Sequence, residues 1–66
     1  MNRNDVVRLT IEDISTEGRG IGRADGMAVF VKDTVVGDVV EAEITKVKKN
    51  YAFGQVKEYN FRKKQT

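Results

Sequence analysis

The sequence predicts an all-β fold, a small five-stranded barrel, and three observations carry that expectation. Apolar residues recur at every second position in several short runs, as they do in strands with one buried face. Turn signals separate those runs at short intervals. No stretch holds the 3.6-residue period of an amphipathic helix. Even spacing of short strands without helices is the signature of small barrels.

The first strand starts near Val6, where Val7, Leu9 and Ile11 alternate with Arg8, Thr10 and Glu12. Residues 1–5 are polar and are expected to form a flexible N-terminus. Ile14 breaks the parity of the first strand, and a bulge near Asp13 is expected to turn it inward. Ser15 to Gly18 reads as a turn. A glycine-rich strand from Gly20 to Ala24 then pairs with an apolar strand from Met27 to Val31. Asp25-Gly26 joins them, and Asp-Gly is among the strongest signals for a two-residue hairpin loop. Gly20 and Gly22 suit a strand that coils strongly or lets another backbone come close.

Lys32 to Asp38 is a connection with Gly37-Asp38 as its turn, and Val35 and Val36 are expected to cap one end of the core. From Val39 to Val47, Val40, Ala42 and Ile44 oppose Glu41, Glu43 and Thr45. Lys48-Lys49-Asn50 forms a charged hairpin tip. In the last strand, from Tyr51 to Val56 or slightly further, Ala52, Gly54 and Val56 lie on one face and Tyr51, Phe53 and Gln55 on the other. Small inward residues fit a tight barrel. The barrel is expected over residues 6–59, with 60–66 a basic tail or a truncated linker.

Composition excludes more functions than it admits. The 66 residues include no histidine and no cysteine, which removes the commonest general base, the commonest metal ligands and the thiolate nucleophile. The chain is expected to be non-catalytic by itself. No apolar run approaches the ~20 residues of a membrane span, and no signal peptide opens the chain. A cytoplasmic, monomeric protein without membrane contact is expected.

Charge is unevenly placed. Residues 1–43 carry five basic and nine acidic side chains, a balance of −4, whereas residues 44–66 carry seven basic ones against Glu58, a balance of +6. The basic half points to a polyanionic partner. Lys46, Lys48, Lys49 and Asn50 interleave with Tyr51 and Phe53, the combination with which proteins hold single-stranded nucleic acid: cations on phosphates, rings on bases. The competing reading makes the two aromatics cross-strand packing partners and the lysines solubilising. Arg19 and Arg23 flank Gly20 and Gly22, where backbone amides and guanidinium groups could meet phosphate. The spacing is not that of a nucleotide-binding fingerprint, and no helix follows. Phe30 belongs to the core if it points inward and to a stacking surface if Val29 and Val31 do; periodicity leaves both open. Lys32 follows at the strand end, close enough to join a basic edge.

The glycine pattern from Glu17 through Asp25-Gly26 to Val31, with Gly37 to Lys46 after it, resembles the TRAM domain over about residues 5–59. The resemblance implies an OB-like five-stranded barrel that binds RNA. It also implies attachment to tRNA- or rRNA-modifying enzymes, or a stand-alone protein as in archaea. The segments Phe30 to Asp33 and Lys46 to Tyr51 are most similar to the N-terminal TRAM domain of RNA methyltransferases that make 5-methyluridine. In those enzymes S-adenosylmethionine and the catalytic cysteine belong to a separate catalytic domain, so no cofactor is expected in this chain. The sequence departs from the family where a Pro-Gly-containing connection often follows the apolar strand, since it has no proline.

Together these features predict an RNA-binding module for tRNA or rRNA, with Arg19, Arg23, Phe30, Lys32, Lys46, Lys48, Lys49, Asn50, Tyr51 and Phe53 as contact residues. The alternative is a docking module in which Glu41, Glu43 and the exposed aromatics meet a catalytic domain without touching RNA.

Overall fold

The computed structural model describes residues 1–62. Six strands form one sheet: β1 (Val6–Thr10), β2 (Asp13–Ile14), β3 (Gly20–Ala24), β4 (Met27–Val31), β5 (Val39–Val47) and β6 (Tyr51–Phe61). Their order is β1-β5-β6-β4-β3-β2, antiparallel throughout except for the parallel β4–β6 pair. The all-β class and the small OB-like fold are as expected. Two particulars differ. A sixth, two-residue strand is present because the chain leaves β1 at Thr10 and pairs again, with β3, only at Asp13. The ladder also does not close into a barrel.

The curling that brings β1 over β3 is visible at Gly22. A Cβ there would lie 3.0 Å from Leu9 Cβ and 3.1 Å from the Thr10 carbonyl oxygen. The Glu12 amide donates to the Ile21 carbonyl at 2.8 Å at the same crossing. Three register shifts along β5–β6 add to the coiling, since each bulge bends its strand and increases local twist.

The core lies inside this curl. Leu9, Ile11, Val29, Val31, Val40, Ala42, Ile44 and Ala52 are all buried, which confirms the alternation in β1, β5 and β6 and settles the inward face of β4. The β3–β4 hairpin turns through Asp25 (φ 52°) and Gly26 (φ 75°). Positive φ at both central residues is the type I′ requirement that matches strand twist.

Four segments depart from expectation. Ile14 is exposed, because β2 pairs Ile14 with Gly20 at the edge of the sheet instead of bulging inward. Val36 is exposed as well. Thr34 and Asp38 are the buried residues of that connection, pinned by the Ile11 amide donating to Asp38 O at 2.8 Å and the Gly37 amide to Ile11 O at 2.9 Å. Residues 1–5 form a hydrogen-bonded turn on β5, with the Asn4 amide to Ile44 O and the Ile44 amide to Asp5 O, both 2.7 Å, and Met1 packed on the core. Finally, β6 runs through Phe61, so Asn60 and Phe61 of the expected tail are strand. Lys63 to Thr66 lie outside the described residues.

Candidate nucleic-acid interface

The outward face of β4 and β6 carries a cluster of three rings. Val29 and Val31 point into the core, so Phe30 points out. Parallel pairing then sets Phe30 opposite Phe53 and Ala28 opposite Tyr51. Phe30 and Phe53 lie 5.6 Å apart between centroids at 35°, and Tyr51 meets both edge-on, 5.8 Å from Phe30 and 5.5 Å from Phe53. These spacings are those of favourable aromatic pairs. All three rings keep exposed area, Tyr51 most.

Arg19 completes the cluster. Its guanidinium carbon lies 5.2 Å from the Phe53 centroid, within cation–π range. The turn before β3 sets this position: the Ser15 amide donates to Arg19 O at 2.7 Å and the Arg19 amide to Ser15 Oγ at 3.1 Å. Gly18, at φ 86°, makes the reversal possible. Glu17 Oε1 sits 3.4 Å from Arg19 Nη1, an exposed pair of small energetic weight.

Between these groups lies an open depression of about 270 Å³, lined by Arg19, Phe30, Lys32, Thr45, Phe53 and Gln55. No carboxylate lines it. Two cations flank apolar ring faces, with a hydroxyl and an amide beside them, so the surface suits a planar base carrying a phosphate.

The remaining expected residues are spread around this centre. Arg23 is exposed and pairs with Ala28, which itself pairs with Tyr51, so it belongs to the next row on the same face. Lys46 pairs with Phe53 through a bulge, yet its side chain lines an adjoining depression. Lys48, Lys49 and Asn50 are exposed at the β5–β6 tip, which the Lys48 amide closes onto Tyr51 O at 2.8 Å. Of the expected contact residues, the depression brings together Arg19, Phe30, Lys32 and Phe53, and it adds Thr45 and Gln55, which the sequence analysis did not single out. Alternation already put Gln55 beside Phe53; nothing in the sequence marks the bulge that brings in Thr45. Of the acidic residues, Glu43 is the register partner of Gln55, beside the depression without lining it, and Glu41 lies opposite Glu58, with Asn60 Nδ2 donating to Glu41 Oε2 at 3.1 Å.

Residues 2–57 match the TRAM domain family. An uncharacterized RNA methyltransferase of Halalkalibacterium halodurans is 45% identical over 56 residues, which is 85% of this chain and 12% of that protein. Another, of Streptococcus agalactiae serotype V, is 36% identical over 59 residues, 89% of this chain and 13% of that protein. The chain thus spans about an eighth of the length of these curated relatives. The solution structure of a conserved protein of Methanococcus maripaludis superposes with a TM-score of 0.77 at 36% identity, covering 85% of this chain and 80% of that one.

Proposed function

Since the chain belongs to the TRAM domain family, we propose that it is an RNA-binding module that presents tRNA or rRNA to an RNA-modifying enzyme, either as a domain of a methyltransferase or as a stand-alone protein. One observation carries the reading: Phe30, Tyr51 and Phe53 form an outward aromatic cluster, and Phe30 and Phe53 line a depression with Arg19 and Lys32 and, among the described residues, no acid. Rings contribute stacking and cations contribute phosphate contacts, so affinity is largely independent of base identity.

Chemistry is assigned outside this chain. S-adenosylmethionine does not fit the depression: its cationic lining would meet a sulfonium, and no carboxylate is there to receive the ribose hydroxyls or the ammonium group. The cofactor is therefore proposed for an attached catalytic domain, and a cytoplasmic, monomeric setting goes with that reading. Among the described residues no helix is long and apolar enough to cross a membrane.

Salt dependence tests the proposal. Binding of single-stranded RNA through phosphates weakens linearly in log salt, with a slope of about −0.7 per contacted phosphate. Binding measured by fluorescence anisotropy over a salt series is expected to show such a slope. Affinity indifferent to salt, or no binding at low salt, would favour a docking module that uses the exposed rings on a protein surface.

A further inference from the structure

The RNA track does not end at the aromatic rings. Resting on the RNA-binding reading above, we propose that Arg3 and Lys46 form a second subsite that holds the sugar–phosphate backbone next to the stacked base. The bulge in β5 connects the two. Ile44 pairs with Gly54 and Lys46 with Phe53, so Thr45 is the extra residue and no partner faces it. Its hydroxyl donates to the Phe53 carbonyl at 3.3 Å. Thr45 consequently lines both the aromatic depression and a neighbouring one of about 560 Å³. Thr45 is the residue that the two depressions share.

This second depression is built by the N-terminal turn. Two hydrogen bonds between that turn and Ile44 clamp it to β5, and Asn4 takes a positive φ of 76° to reverse the chain. The clamp sets Arg3 and Lys46 on one depression, which Met1, Asn2 and Val47 also line, with the Met1 ammonium 3.9 Å from Asp25 Oδ2. The acid of the turn, Asp5, is engaged by the Asn2 amide at 2.9 Å. Arg3 and Lys46 are both exposed, and among the described residues neither forms an ion pair. Two cations without an ion pair among the described residues, one strand away from Phe53, match two successive phosphates of the backbone that follows the stacked base. The ligand is single-stranded RNA longer than the stacked nucleotide alone.

An oligonucleotide-length experiment tests this. Affinities for diuridylate and hexauridylate are measured over a salt series for the unaltered chain, the Arg3→Gln/Lys46→Gln double variant and Phe53→Ala, each checked for a native circular-dichroism spectrum. Both substituted cations are on the surface. In the double variant the hexauridylate slope is expected to fall by about 1.4, two phosphates at about 0.7 each. Diuridylate, with a single internucleotide phosphate, is expected to lose at most half of that slope, while Phe53→Ala weakens binding of both. An unchanged slope and length dependence in the double variant, with Phe53→Ala still weakening binding, would overturn the second subsite and leave RNA binding standing. Failure of the unaltered chain to bind either oligonucleotide would overturn both.

Discussion

Phe30 and Phe53 are register partners across the one parallel strand pair of the sheet, their centroids 5.6 Å apart. Neither is covered by the core, since the residues flanking Phe30 on β4 and Ala52 beside Phe53 take the inward positions. Each ring is held in place by the other and by Tyr51, and a base laid on them meets a surface already ordered. Little side-chain entropy is left to lose on binding, which favours affinity.

Removing the Phe53 ring is expected to cost the most. A base–aromatic stack is worth about 1–3 kcal/mol by alanine substitution, a loss of roughly five- to 150-fold in affinity. Phe53→Ala is thus expected to exceed Arg3→Ala and Arg23→Ala in effect on single-stranded RNA binding, as read by anisotropy with folded variants. Equal effects of the three substitutions would argue against an aromatic platform.

Arg19 has two roles that substitution separates. Arg19→Lys keeps the charge but loses the planar group over Phe53, whereas Arg19→Ala loses both. The salt slope of RNA binding is expected to fall by about 0.7 in Arg19→Ala and to be retained in Arg19→Lys. Absolute affinity is expected to decline in both, and a titration calorimeter at two salt concentrations resolves the pattern.

Much of this arrangement was legible in the sequence, and the limits are physical. The β3–β4 hairpin was readable to its end residues, because Asp25-Gly26 admits few backbone solutions and the strands on either side must follow it. Alternation likewise sorted β1, β5 and β6 into faces, since a one-residue slip would expose a whole apolar row. The orientation of Phe30 was not readable. Met27 to Val31 is apolar throughout, and only the burial of Val29 and Val31 shows which parity faces the core. The parallel β4–β6 pairing is non-local, joining residues over twenty positions apart, and leaves no local signal. For the same reason the Thr45 bulge and the turn that carries Arg3 were invisible: both depend on which strand lies alongside.

The close approach at Gly20 makes a stability prediction. A Cβ there would fall 1.9 Å from Thr34 Oγ1 and 3.0 Å from Ile11 Cγ2, and the Thr34 hydroxyl is buried and donates to Val31 O at 3.0 Å. Gly20→Ala is expected to destabilise by about 1–3 kcal/mol through overpacking. Placed in a Thr34→Ala background, the same change is expected to cost less, because the nearest obstructing atom is gone. Urea unfolding of the four proteins in a double-mutant cycle gives the coupling; simple additivity would contradict the contact.

At the hairpin turn, Gly26→Ala is expected to cost about 1–2 kcal/mol, the penalty for a Cβ in the left-handed region. Asp25→Asn is expected to be nearly neutral, since asparagine tolerates positive φ as aspartate does. Thermal unfolding distinguishes the two.

The most direct test of the RNA-binding account is an amide chemical-shift titration of the chain with a short single-stranded RNA, first at low and then at moderate salt. Shifts are expected to concentrate on Arg19, Phe30, Lys32, Thr45, Tyr51 and Phe53 and to fade as salt rises. Shifts centred on Glu41, Glu43 and Glu58, or none at low salt, would contradict it and leave these rings as a surface for a protein partner.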